Sequence, residues 1–201
     1  MKAVVFVDVQ KDFVKNGALA FGYPSEDNVP KVVGFAKECV TNGYKIYATR
    51  DTHQKTVYDT NVHAIPNAAY KPEARALSGY MTTLEGKKLP VEHCVEGTDG
   101  WMLDDRLMEV LDGKCTFVNK PTFGSFDLAE VIAEDFENEK LDEIVICGYC
   151  TGICVISNAL LLRAKFPNVK ITLKKDLCGC ISEATHNAAL QTAQCCQIDV
   201  E

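Results

Sequence analysis

Asp8 follows a valine-rich apolar run, Asp51 and His53 follow a second run, Lys120 a third, and Cys154 closes the stretch Gly148-Tyr149-Cys150-Thr151-Gly152-Ile153-Cys154 after a fourth. In an open parallel sheet the ligand crevice lies beyond the carboxyl ends of the strands, so these side chains are expected to converge. A thiol at the start of a helix gains from the positive end of the helix dipole and from free backbone N–H groups, and both favour thiolate. An ammonium such as Lys120 beside it would lower the thiol pKa further, while Asp8 could accept the proton and return it to a leaving amine. Cys154, Lys120 and Asp8 are therefore the candidate nucleophile, cation and acid/base. Taken singly, each has a plainer reading as inert packing, a solvated cation or a loop cap. Their joint occurrence at the ends of three strands of one sheet favours chemistry.

A second set of residue types suits a metal ion. Asp51 and His53 stand two residues apart, and His93 lies in Pro90-Val91-Glu92-His93-Cys94-Val95. Two imidazoles with a carboxylate suit zinc, the first choice, and also iron or manganese. A fourth ligand could come from Glu85, Asp59 or His63, with Glu85 preferred for its closeness to His93. From spacing alone, ordinary partly buried histidines explain His53 and His93 equally well. His186 and Asp176 read as structural. Cys147 and Cys150 with Cys178 and Cys180 could be drawn as a redox pair or a structural zinc site, but Cys147 belongs to an apolar strand, where a redox cysteine would not be exposed.

The elements that must position these groups alternate in type. Residues 3–9 form a nearly continuous apolar run, as in a parallel strand buried on both faces. From Val29, the residues Val32, Val33, Ala36, Cys39 and Val40 recur at helical spacing, with Pro30 near the start and Gly43 as a stop. Further strands are expected at 44–49, 116–119, 144–148 and 169–173, and further helices at 103–111, 128–136, 154–164 and 183–193. Such alternation predicts a three-layer α/β/α domain with a central, mostly parallel, Rossmann-like sheet. Residues 56–79 have weak periodicity and contain Pro66 and Pro72, so they are expected to form a loop or lid.

Composition narrows the class of function. A chain of 201 residues, 47% hydrophobic and 24% charged, suits one domain over 1–201. A formal net charge of −7 provides no basic stripe for nucleic acid. The apolar run at the N-terminus is too short for a signal core, and no stretch is long enough to span a bilayer. Ten cysteines without a secretory segment read as reduced thiols, which predicts a cytoplasmic protein without a membrane partner.

Five stretches taken in order resemble the isochorismatase-like cysteine hydrolases and, within them, the nicotinamidases. They are Asp8-Val9-Gln10-Lys11-Asp12-Phe13, Arg50-Asp51-Thr52-His53, His93-Cys94-Val95 with Gly97-Thr98, Asn119-Lys120 before Phe123, and Gly148 to Val155. The resemblance implies that Cys154 attacks a carboxamide carbon, ammonia leaves, and water hydrolyses the thioester, with Asp8 and Lys120 assisting. It implies a cis bond between Tyr149 and Cys150, with the backbone N–H groups of Cys150 and Cys154 facing the oxyanion. Losing one such donor typically costs roughly 3 kcal/mol of transition-state stabilisation. It further implies one divalent ion on Asp51, His53 and His93, taking the ring nitrogen of nicotinamide. Phe13, Trp101 and Tyr149 are candidates for the walls that hold a flat ring, although core packing accounts for them as well. A homodimer or tetramer is expected. The alternatives are an amidase for another small amide or carbamoyl compound, and a non-catalytic metal- or partner-binding module on the same scaffold.

Overall fold

The valine and isoleucine runs become strands because β-branched side chains pack well on a pleated surface covered on both faces. The computed structural model describes residues 1–54 and 84–201. The expected loop or lid at 56–79, with Asp59 and His63, lies outside them. Strands β1 (Lys2–Val7), β2 (Lys45–Asp51), β3 (Cys115–Lys120), β4 (Glu143–Gly148), β5 (Lys170–Cys178) and β6 (Asp199–Val200) form one sheet in the order β3-β2-β1-β4-β5-β6. Every pairing between these strands is parallel. The expected parallel α/β/α sheet is thus present, all-parallel among the described residues, and β4 is buried along its whole length.

The helices are α1 (Val29–Thr41), α2 (Leu84–Lys88), α3 (Asp105–Leu111), α4 (Phe126–Asp135), α5 (Ile156–Lys165) and α6 (Glu183–Cys195). The chain winds outward from β1 through β2 to β3, then returns to β4 and continues to β6. Right-handed crossovers therefore put α1 and α3 on one face and α4, α5 and α6 on the other. The packing agrees: α1 lies against α3, α4 against α5, and α5 against α6. Side chains fix several helix starts. Asp104 accepts from the Arg106 N–H, Ser125 from the Leu128 N–H, and Ser182 with Thr185 closes a capping box.

The structure departs from the expected boundaries where the site begins. β1 ends at Val7, because Asp8 takes a φ of 48°, in the left-handed region that breaks the strand. β2 and β3 run on through Asp51 and Lys120, which pair with each other in register. The helix expected from 154 starts earlier, as a π-helical turn Thr151–Val155 leading into α5. β5 extends to Cys178, past a register shift opposite β4 that brings Gly148 beside Cys178. The short α2 and β6 were not foreseen, being too brief to show a period.

Gly148 joins β4 to the turn that carries Cys154. Its φ is 126°, and a Cβ there would collide with the carbonyl of Val7. A Gly148→Ala substitution is expected to destabilise the protein by at least about 3 kcal/mol, from conformational strain plus the clash. Chemical denaturation should register it as a lower midpoint; an unchanged midpoint would contradict this placement.

Candidate active site and metal cluster

Three strand ends deliver one buried cluster. Lys120 is 0% exposed at the end of β3, and its Nζ lies 2.6 Å from Asp8 Oδ2, 3.4 Å from Cys154 Sγ and 3.8 Å from Asp51 Oδ1. It also donates to the carbonyl of Thr122 at 3.2 Å. The other oxygen of Asp8 accepts from the Thr49 hydroxyl at 2.6 Å, while the Asp8 N–H donates to the Thr49 carbonyl. Strands β2 and β3, on the same side of β1, thus supply the hydroxyl and the ammonium that hold the carboxylate.

The electrostatics of this cluster differ from the sequence expectation. Burial pushes the Cys154 thiol well up; Lys120 pulls it down, but Asp8 and Asp51 push it up again. The helix start and the ammonium therefore do not produce a resting thiolate. Burial also raises Asp8, aided by Asp51 and opposed by Lys120. Lys120 is raised well above its ordinary value: burial works against its charge, but Asp8, Cys154 and Asp51 together outweigh it. The cluster is a permanent ammonium beside a carboxylate and a thiol that compete for one proton.

Cys154 sits in the π-helical turn after the cis Tyr149–Cys150 bond. The N–H groups of Ile153 and Val155 both donate to the carbonyl of Cys150, at 3.0 and 3.1 Å, with Cys154 between them. Asn158 fixes the turn from the following helix. Its side-chain amide donates to the carbonyls of Cys154 and Phe123 and accepts from the Ser125 N–H. His186, which reads as structural from sequence, bonds the Thr151 hydroxyl at 3.0 Å through Nδ1.

Beside the thiol, Asp51, His53, Glu85 and His93 present ligand atoms within 4.8 Å of one another. Asp51 Oδ2 lies 3.2 Å from His53 Nε2 and 3.5 Å from His93 Nε2, and Glu85 Oε1 lies 3.6 Å from His93 Nε2. His93 Nδ1 donates to the carbonyl of Val91 at 2.8 Å, which fixes the tautomer that leaves Nε2 for a metal. Backbone bonds hold the two imidazole segments together: the His53 N–H donates to the Cys94 carbonyl and the Glu96 N–H to the His53 carbonyl. Asp51 is held below the usual carboxylate range; burial opposes this, but Lys120, His53 and His93 prevail. His93 is pushed up to about 10, against burial, by Asp51, Glu85 and the Val91 carbonyl. The buried Asp51 carboxylate and the half-buried Glu85 carboxylate flank the His93 imidazole, and with His53 they form a donor set suited to a divalent cation. Glu85, first among three options from sequence, joins the set. Among the described residues this is the one such group; Cys147, Cys150, Cys178 and Cys180 form none.

Both clusters open on one cavity of about 280 Å³. Cys154, Cys150, Asp51, His93 and Glu85 line it together with the apolar side chains of Phe13, Phe21, Phe123, Ile153 and Ile181. Phe13 packs 5.3 Å from both the His93 and Phe21 rings, centroid to centroid. Two expected wall residues are elsewhere. The guanidinium of Arg50 stacks over Trp101 at 4.2 Å, and Trp101 donates through Nε1 to Thr52. Tyr149 is buried behind the cavity, stacked on Phe21. Neither lines the cavity. Phe21, Phe123, Ile153 and Ile181 were not read as wall residues, because apolar residues in loops and turns carry no periodic signal.

Gln10 was also missed as a functional residue. Its fully buried amide clamps Asp51: Oε1 accepts from the Asp51 N–H at 2.7 Å, and Nε2 donates to the Asp51 carbonyl at 2.8 Å and to the Trp101 carbonyl at 2.9 Å. Asp12 acts similarly near His93, accepting from the Cys94 N–H at 2.7 Å.

Residues 2–200 match the Isochorismatase domain, so the chain belongs to the isochorismatase family. It is 23% identical over 195 residues to the isochorismatase family protein PncA of Bacillus subtilis (strain 168), covering 94% of this chain and 92% of that protein. Among solved structures it resembles the pyrazinamidase/nicotinamidase of Streptococcus mutans UA159, with a TM-score of 0.73 at 21% identity over 100% of both chains. It also resembles the pyrazinamidase of Pyrococcus horikoshii in complex with zinc, with a TM-score of 0.69 at 21% identity, covering 100% of this chain and 98% of that one. These likenesses establish the six-stranded α/β/α architecture.

Gln10→Ala is expected to leave the four ligand side chains in place but free the Asp51 backbone. It should weaken zinc binding roughly 10- to 100-fold, as loss of an outer support typically does. Competition with a chelator would measure the change; unaltered affinity would show that the clamp is idle.

Proposed function

We propose that this protein is a cysteine amidohydrolase that converts a small aromatic carboxamide, nicotinamide first, to the free acid and ammonia. The observation that carries the reading is the Asp8–Lys120–Cys154 cluster opening on a cavity shared with Asp51, His53, Glu85 and His93. The named activities of the similar S. mutans and P. horikoshii enzymes support it.

In this mechanism Asp8 accepts the Cys154 proton as sulfur attacks the carboxamide carbon. The raised pKa of Asp8 makes it the better base, and the permanent charge of Lys120 steadies the thiolate as it forms. The backbone N–H groups of Cys150 and Cys154 receive the oxyanion. The C–N bond breaks as Asp8 returns its proton to nitrogen, and ammonia leaves. Asp8 then takes a proton from water, whose oxygen adds to the thioester carbon. The carbon–sulfur bond breaks, the acid is released and Cys154 recovers its proton. Phe13, Phe21 and Phe123 provide an apolar enclosure for a flat ring.

Asp51, His53, Glu85 and His93 would hold one divalent ion, zinc by preference over iron or manganese. When bound, that ion supplies a Lewis acid for a ring nitrogen of the substrate. The proposal also takes the enzyme to be cytoplasmic and homo-oligomeric, with neither nucleic acid nor membrane as a partner. Ten free cysteines support the compartment and a net charge of −7 argues against nucleic acid; among the described residues no helix is long and apolar enough to cross a membrane.

Cys154→Ala is expected to lower ammonia release from nicotinamide by at least about 1,000-fold while still folded, and Asp8→Asn by roughly 100- to 10,000-fold. Ammonia release persisting in folded Cys154→Ala would refute the nucleophile. Comparing nicotinamide, pyrazinamide and aliphatic amides ranks the substrates, and an aliphatic amide turning over fastest would overturn the aromatic assignment. Elemental analysis of purified protein should find about one divalent metal per chain; none at full activity would sink the metal's role.

A further inference from the structure

Cys150, in the wall of the same cavity, and Cys180 behind it form a pair of thiols whose sulfurs the hydrolytic mechanism does not use. Cys150 Sγ lies 3.4 Å from Cys180 Sγ, and both residues are buried. The backbone fixes this contact from both sides. The Gly179 N–H donates to the Gly148 carbonyl, the Thr151 N–H to the Gly179 carbonyl, and the Cys180 N–H to the Tyr23 carbonyl at 2.7 Å. Cys180 Sγ also lies 3.3 Å from the Thr185 hydroxyl, within the capping box of α6.

The two sulfurs are unlike. Cys180 is pulled down to about 4, first by the thiol of Cys150 and then, against burial, by the Thr185 hydroxyl and the N–H groups of Gly152 and Ser182. Cys150 is pushed up by Cys180 and by burial. The arrangement is a thiol donating to a thiolate. The other cysteines nearby differ: burial drives Cys147 well up and Cys178 up to about 12.

We propose that Cys150 and Cys180 form a modification site in which a small hydroperoxide produces a disulfide. The Cys180 thiolate attacks the terminal peroxide oxygen, the O–O bond breaks, and hydroxide or alkoxide departs, leaving a sulfenic acid on Cys180. Cys150 sulfur then attacks that sulfur; its proton leaves with the displaced hydroxide as water, and the S–S bond forms. Two thiols are oxidised by two electrons and one peroxide is reduced. The sulfurs need only close from 3.4 Å to about 2 Å. Cys150 lines the cavity and the fully buried Cys180 lies directly behind it, so a peroxide approaches the pair past Cys150 from the space a substrate would use.

The site stands apart from the proposed hydrolysis, but its consequence rests on that reading. Drawing Cys150 toward Cys180 moves a residue whose N–H would serve the oxyanion. The test treats reduced protein with stoichiometric hydrogen peroxide, alkylates the remaining thiols in denaturant, and assigns the linked sulfurs by peptide fragmentation. A Cys150–Cys180 linked peptide is expected, cleaved by dithiothreitol and absent from Cys180→Ala, which keeps its ammonia release before peroxide is added. Ammonia release by wild type should fall at least ten-fold on oxidation and return on reduction. Overoxidised Cys154 as the first product, with Cys150 and Cys180 both still alkylatable, would overturn the proposal. The cross-link with unchanged ammonia release would establish the site and count against the oxyanion role of Cys150.

Discussion

Moving an ammonium ion out of water carries a penalty of several kcal/mol even after the protein relaxes, and Lys120 makes that transfer completely. The charge is tolerable only because Asp8 touches it at 2.6 Å and Asp51 stands at 3.8 Å. That requirement sets the geometry of the sheet's C-terminal edge. Lys120 must end β3 in register with Asp51 on β2, and Asp8 must leave β1 beside Thr49. Once those strands are aligned, the thiol arriving from β4 meets a fixed positive charge and a carboxylate whose proton affinity burial has raised. The pairing that makes the buried lysine stable is also what makes a proton shuttle available next to sulfur.

This constraint explains which parts of the architecture were legible in the sequence. Continuous apolar runs such as 3–7 and 144–147 report burial on both faces, so the parallel sheet could be read without contact information. The polar residues ending those runs stood out because nothing about packing requires them there. Asp8, Lys120 and Cys154 were legible for that reason, as was the pairing of Asp51 and His53 with His93.

What escaped reading is what depends on tertiary approach. Asp51 is the last residue of β2, rather than one beyond it, because Lys120 extends the ladder opposite. Gln10 looked like one polar residue of a loop; its role exists only because β1 and β2 end side by side, placing the Asp51 peptide within reach of both ends of one amide. Trp101 looked like a ring-binding wall, yet its indole finds a guanidinium to stack on and a hydroxyl to donate to, which satisfies it away from the cavity. The direction of the Cys154 shift also had to await coordinates. Helix position and one ammonium argue for thiolate, but full burial and two nearby carboxylates outweigh them.

Asp51 ties the two halves of the site into one electrostatic unit. Its Oδ1 faces Lys120, while its Oδ2 faces both imidazoles. The same carboxylate that helps hold Lys120 charged also raises the Cys154 thiol, so any positive charge gathered between His53, His93 and Glu85 offsets part of its influence on sulfur. Burial opposes a charge on His93, but Asp51, Glu85 and the Val91 carbonyl push the imidazole up. Replacing a proton there by a divalent cation requires neutral imidazole and brings more positive charge to the same place. The donor set of Asp51, His53, Glu85 and His93 thus bears on the Cys154 thiol through Asp51 as well as lining the cavity beside it, and the β2–β3 register that buries Lys120 is what couples the two.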